Sequence, residues 1–174
     1  HDAVAYVYAA QLMNGTGGAL FEPDKTTTRG MIVTILWRLE GEPVVNYLMP
    51  FTDVPASWYT EAVRWASSER IVNGYTDGTF RPEAAITREQ LATILFNYAR
   101  YKGYDVSGRA SLSALFPDAG RVSGYAADAL SWANQAKLVN GVADGGATFL
   151  QPQGSAIRAQ VAAILMRFQE NIAK

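Results

Sequence analysis

Three Asn-Gly pairs, Asn14-Gly15, Asn73-Gly74 and Asn140-Gly141, mark the same point in three successive stretches of the chain. From the first stretch to the second the match runs on without a gap: Phe21 falls on Phe80, Pro23 on Pro82 and Arg29 on Arg88. In the third, small insertions around Gly146 and Leu150 shift the register before Arg158 falls on Arg88 and Gln160 on Gln90. Internal repetition constrains a fold more than any local propensity, because a unit this small buries its apolar faces only against its neighbours.

Each unit carries two helical patterns. Upstream of the Asn-Gly pair the apolar residues are Ala62, Val63, Trp65, Ala66 and Ile71 in unit two, and Ala129, Leu130, Trp132, Ala133 and Leu138 in unit three. Unit one has Ala3, Val4, Tyr6, Val7 and Leu12 there. Downstream, Leu91, Ile94, Leu95 and Tyr98 keep the i, i+3, i+4, i+7 spacing of an amphipathic helix. Ile32, Ile35, Leu36 and Leu39 repeat it in unit one, and Val161, Ile164, Leu165 and Phe168 in unit three. Trp65, Trp132 and Tyr6 read as core. The spacing predicts a mainly α protein of three helix-loop-helix units, 1–45, 46–106 and 107–174, joined through linkers near 41–50 and 102–115 into one domain. Units two and three have a preface, "FTDVPASWYTEA" and "FPDAGRVSGYAADA". Its counterpart in unit one falls before residue 1, so the chain is expected to be part of something longer.

Composition narrows the function. Hydrophobic residues make up 49% and charged residues 18%, the balance of a packed chain. A net charge of −1 offers no basic field to nucleic acid. No apolar run approaches the roughly 18 residues of a membrane helix, so no membrane insertion is expected. The absence of cysteine excludes disulfides and thiolate chemistry, and His1, the sole histidine, excludes a zinc cluster or a Ser-His pair. An EF-hand register begun at Asn73 puts Ala84 where a calcium-binding glutamate is required. No cofactor or metal is expected.

Thr87-Arg88-Glu89-Gln90 poses the chemical question. Thr87 and Gln90 fit a capping box, which puts Arg88 at the first helical position, against the helix dipole. Arg29 and Arg158 repeat that placement. A bound anion reverses the sign, since helix-end N–H groups and a guanidinium then point at one carboxylate. A salt bridge between units, to Glu61 or Glu83, is the alternative. In the loop, Gly74, Asp77 and Gly78 tolerate positive φ and expose backbone N–H groups. Trp58 and Tyr125 hold equivalent preface positions, where an aromatic face either stacks on a sugar ring or packs into the core. Asp2, Glu61 and Asp128 are equivalent acids early in a helix. They complement the dipole more simply than they make a glycosidase pair.

The stretch "FTDVPASWYTEAVRWASSERIVNGYTDGTFRPEAAITREQLATIL" closely resembles a bacterial S-layer homology repeat. That pattern runs Phe-x-Asp-Val, a tryptophan, Gly-Tyr-x-Asp-Gly-x-Phe-x-Pro, then Thr-Arg-Ala-Glu opening a helix. The resemblance covers essentially the whole chain, and three tandem copies is the family's usual number. It implies a pseudo-threefold arrangement around a central helical bundle. It also implies a non-catalytic module on the surface of bacteria, mostly Gram-positive ones, holding an attached exported domain to the wall. The implied partner is a secondary cell-wall polysaccharide, pyruvylated or otherwise acidic, held in grooves between repeats. By the resemblance Arg88 meets the carboxylate, with Arg29 and Arg158 as weaker counterparts. Thr87, Glu89, Gln90, Gly74, Asp77, Gly78, Trp58 and Tyr125 complete the candidate set. Unit one departs with Gly18-Ala19 in place of Asp-Gly and with Gly30 after the arginine. Unit three departs with Ile157 in place of the capping threonine. Unit two is therefore expected to carry the best-formed half-site. Other uses of the same grooves are a partner protein, peptidoglycan or, less favoured, catalysis on a glycan.

Overall fold

A computed structural model describes residues 2–15 and 20–173. The Gly18-Ala19 departure and His1 lie outside the described residues. The described chain is mostly helical, as expected. Unit one has helices α1 (Asp2–Ala9) and α2 (Arg29–Leu39), and unit two has α3 (Thr60–Ser68) and α4 (Arg88–Tyr101). Unit three has a short α5 (Leu112–Leu115), then α6 (Ala127–Gln135), the strands β1 (Val142–Asp144) and β2 (Ala147–Phe149), and α7 (Arg158–Asn171). Two single 3-10 turns, Ala119–Arg121 and Gly124–Ala126, lie in the preface of unit three.

Each second helix starts where its arginine stands. Thr87 Oγ1 accepts from the Gln90 N–H at 3.2 Å and Gln90 Oε1 accepts from the Thr87 N–H at 3.1 Å, closing the expected capping box. Thr28 caps α2 through the Met31 N–H. At α7, Ile157 has no hydroxyl, and only the Gln160 half of the box survives, at 3.2 Å.

The apolar stripes are buried between units rather than within them. Helix α3 of unit two packs on α2 of unit one, α6 of unit three on α4 of unit two, and α1 of unit one on α7 of unit three. The helix pairing thus closes on itself in chain order. Trp65 and Trp132 are buried as expected, with Phe80, Leu91, Leu95, Leu130 and Phe168, whereas Tyr6 is only partly buried. Tyr98 packs at a tilt against Phe168 and donates its hydroxyl to Glu40 Oε1 at 2.6 Å, joining all three units at the far end of the second helices.

Backbone hydrogen bonds repeat the cycle at the helix starts. Thr27 N–H donates to Ala156 O, Ala156 N–H to Ile86 O, and Ile86 N–H to Thr27 O, at 3.0, 2.9 and 2.8 Å. These three residues occupy equivalent positions, and all are fully buried. The first two amides of each second helix then reach into the following unit. Arg29 and Gly30 donate to Ala84 O and Pro82 O; Arg88 and Glu89 donate to Gly154 O and Pro152 O. Arg158 and Ala159 donate to Lys25 O and Pro23 O. Four orphan N–H groups begin any helix; here two of the four are satisfied by a neighbouring unit.

The β1–β2 hairpin was not legible as strands. Its pairing Asp144↔Ala147 leaves a two-residue turn at Gly145-Gly146, with φ of 55° and 85°. Positive φ at both positions matches the twist of a tight hairpin, and two glycines supply it. Unit two makes a turn from Tyr75 to Thr79 in the same place, with the Tyr75 N–H donating to Thr79 O at 2.7 Å.

Candidate functional site

The grooves lie between units, and each arginine serves the unit after its own. Arg29 leaves α2 and enters unit two, where its Nε donates to Phe80 O at 2.8 Å and its guanidinium lies 4.7 Å from the Phe80 ring centre. Arg158 enters unit one, donating to Phe21 O at 2.7 Å and Asn14 O at 2.6 Å. Arg88 enters unit three, with Nη1 at 3.3 Å from Gln151 Oε1. The side chain escapes the adverse dipole of its own helix by reaching across to carbonyls and rings of its neighbour.

Two expectations are corrected by this geometry. The helix-end amides at the arginines are not free to bind an anion, because carbonyls of the next unit already take them. Nor does Arg88 share a site with the loop of its own unit: Gly74, Gln90 and Tyr125 line the groove that Arg29 enters. The interlocked pairing explains the shift, since the loop of one unit is brought to the helix start of the unit before it. The salt-bridge alternative is also not what the described residues form. Arg29 and Arg88 belong to none of their ion pairs, and Glu61 pairs with Arg64 at 3.3 Å.

The Arg29 groove measures about 350 Å³. Arg29 is only 6% exposed, and burial lowers its pKa. Its Nη groups meet no protein acceptor among the described residues. Tyr75 lies 4.9 Å from the guanidinium, with its hydroxyl accepting from Gln90 Nε2 at 2.8 Å. Tyr125 is 60% exposed and donates to Glu89 Oε1 at 3.3 Å. Partial withdrawal from water, helped by the Glu89 charge, pushes its phenol up to about 12. Gly74, at φ 68°, lets the loop turn hard against Phe51. The result is a buried guanidinium over the Tyr75 and Phe80 rings, in a groove also lined by Tyr125, Asn73, Gln90 and Asn97. Such a set can meet a small anion.

The remaining expected residues have other settings. Thr87 is the helix cap. Glu89 is 3% exposed and accepts from the Ser123 N–H, the Ser123 hydroxyl and Gln153 Nε2 at 3.0, 2.7 and 3.1 Å. It ties α4 to the preface of unit three and so sets the place of Tyr125. Gly30 stands there in unit one, where even a Cβ would come within 3.0 Å of Pro82 O and 3.3 Å of the Tyr59 ring. Asp77 is exposed and holds Thr79 and Arg81. Gly78 serves the turn at φ 78°. Neither Asp77 nor Gly78 lines the groove. Trp58 is 53% exposed and packs edge-on to Tyr59 at 5.0 Å.

Among the groove residues that escaped the sequence reading are Tyr75, Asn97 and Arg167. Tyr75 follows the Asn-Gly anchor directly, and its identity in the resembled pattern was the available signal. Asn97 and Arg167 occupy one equivalent position a little beyond two helical turns into α4 and α7. Nothing in a single helical stripe distinguishes that position from an exposed polar one.

A model of the S-layer homology domain matches residues 1–30, 50–92 and 115–162, more than half of the chain. The surface-layer 125 kDa protein of Lysinibacillus sphaericus is 30% identical over 98% of this chain and 14% of its own length. An endoglucanase of Bacillus sp. (strain KSM-635) is 28% identical over 91% of this chain and 16% of its own length. The cellulosome-anchoring protein of Acetivibrio thermocellus is 30% identical over 53% of this chain and 22% of its own length. The chain therefore spans about a sixth of the length of the endoglucanase and a seventh of the surface-layer protein. The surface-layer relatives place it at a bacterial cell surface. Three matched segments, one in each structural unit, agree with the repeated Arg-bearing helix starts, and the chain belongs to the S-layer homology family.

Proposed function

We propose that this module is non-catalytic and anchors a larger exported protein to the bacterial wall by binding an acidic secondary cell-wall polysaccharide in the grooves between its units. A pyruvylated sugar is the ligand we assign to the Arg29 groove. The observation that carries this reading is the Arg29 guanidinium itself: buried, outside every described ion pair, with no Nη acceptor among the described residues, and lining a groove with Tyr75 and Tyr125. A carboxylate there gains charge-assisted hydrogen bonds, and the sugar ring gains an aromatic wall. Anchoring also suits the relatives, among them a surface-layer protein and a cellulosome-anchoring protein. The endoglucanase matches through a small part of a much larger chain, which fits a shared attachment module better than shared catalysis.

Co-sedimentation with purified wall sacculi, before and after removal of the attached polysaccharide, tests the reading. Binding is expected only with the polysaccharide present; binding that survives its removal points to peptidoglycan or protein as the partner. Calorimetry with a pyruvylated fragment should show Arg29→Ala weakening the complex by about 1.5–3 kcal/mol, the range for a hydrogen bond to a charged group. Arg29→Lys should recover only part, because a point charge cannot reproduce the planar fork. Unchanged affinity in Arg29→Ala, with folding verified by circular dichroism, removes the arginine from the site.

A further inference from the structure

The groove entered by Arg88 differs from the Arg29 groove in charge and in its walls. It measures about 290 Å³ and is lined by two arginines, Arg88 and Arg167, with no acidic residue in its lining. Val142 stands where the Arg29 groove has Tyr75, and Ala163 where it has Thr93. The aromatic wall has gone and a second cation has come in. Arg88 is only partly exposed, and burial without an acidic partner lowers its pKa. Two like charges facing one cavity are held there at a cost unless an anion joins them.

The position of Arg167 shows that this second charge is not a packing requirement. Arg167 Nη1 donates to Leu138 O at 3.2 Å. In unit two the equivalent Asn97 Nδ2 donates to the equivalent carbonyl, Ile71 O, at 3.1 Å. An uncharged residue makes the same backbone contact, so the structural role does not need a guanidinium.

We propose that the Arg88–Arg167 groove takes a doubly charged group, a phosphate monoester on a wall sugar, while the Arg29 groove takes a singly charged one. The inference rests on the reading of the grooves as anion sites. A phosphate monoester presents close to two negative charges above its second ionisation near pH 6. Two guanidinium forks match it as a clamp. A sulfate ester of the same shape carries one charge at every working pH, and so separates charge from shape.

Calorimetric titration of the intact chain with N-acetylglucosamine 6-phosphate and with its 6-sulfate supplies the test. At pH 7.5 the phosphate should bind about tenfold tighter, the factor expected for one added charged hydrogen bond. The preference should fade as the pH falls to 5. Arg167→Asn installs the residue unit two already uses, so the fold should hold, and the preference should disappear. Asn97→Arg should create a second phosphate site in the Arg29 groove, doubling the stoichiometry. Equal affinity for the two esters, or an unchanged preference in Arg167→Asn, overturns the inference. Chain that sediments with wall polysaccharide yet shows no phosphate preference loses this inference alone. A phosphate preference without wall binding sinks the anchoring reading instead.

Discussion

Arg29 and Arg88 hold the same place in their units and meet different neighbours, which a single unit's sequence cannot show. The capping box made their position at the helix start readable. Their destination was not, because it depends on which unit's loop lies opposite, a long-range fact of packing. Glycines divide in the same way. Gly74 and Gly78 look alike in "NGYTDG", and both have positive φ, 68° and 78°. A Cβ on Gly74 would clash with the Phe51 ring and meet Thr79 O at 2.8 Å, while one on Gly78 would meet nothing within 4 Å. Gly78→Ala should therefore cost about 1 kcal/mol, the left-handed backbone term. Gly74→Ala should cost about 3 kcal/mol, since it adds a core clash to that strain. Denaturant melts of the two variants measure the difference, and equal losses would show that the Phe51 contact relaxes freely. At the closed backbone cycle, Thr27 is fully buried and its hydroxyl has no partner among the described residues, where units two and three have Ile86 and Ala156. Thr27→Val keeps the shape and removes the unsatisfied oxygen, and should stabilise by about 1 kcal/mol. A loss of stability would mean that the hydroxyl is satisfied in solution.

At the scale of elements, the helices were legible because apolar periodicity and caps act locally. The hairpin β1–β2 was not, because its strands are only three residues each and the glycine pair could equally have marked an open loop. Unit two shows what replaces the hairpin. Asp77 Oδ1 accepts from the Thr79 N–H at 3.0 Å and the Thr79 hydroxyl at 2.6 Å, and Oδ2 pairs with Arg81 at 2.9 Å. The Thr79 hydroxyl, then Arg81, then the Thr79 amide hold the Asp77 carboxyl down to about 2. A carboxyl depressed in the folded state contributes stability above its unfolded value near 4 and loses it as the pH falls toward 2. Between pH 5 and 2 the protein should lose more of its stability than Asp77→Asn does, and the two should keep a constant difference above pH 5. Parallel acid melts would place the loop's acid sensitivity elsewhere.

The molecule as a whole is held by what passes between units. Helix α3 has its main helix contact on α2, and α4 has its own on α6, so unit two cut out alone loses the partner of each helix. It loses more than apolar cover. The Arg88 and Glu89 amides lose Gly154 O and Pro152 O, and the Ile86 amide loses Thr27 O. Water can replace those hydrogen bonds, but not the burial of Leu91, Leu95 and Trp65, each worth about 1.5–3 kcal/mol when fully removed from solvent. Folding free energies of whole domains are only about 5–15 kcal/mol, so a segment of residues 46–106 should not fold cooperatively. Its circular dichroism should show weak helicity that melts without a sigmoidal transition. The complementary experiment attacks the closure of the cycle. Helix α1 packs on α7, and Val7 is fully buried there. Val7→Asp should therefore destabilise α7 and the Arg158 contacts to Asn14 and Phe21, although they lie at opposite ends of the sequence. Hydrogen exchange would show faster opening in 158–171 than in 88–101. Equal exchange in the two helices would mean that the units fold without closing the ring.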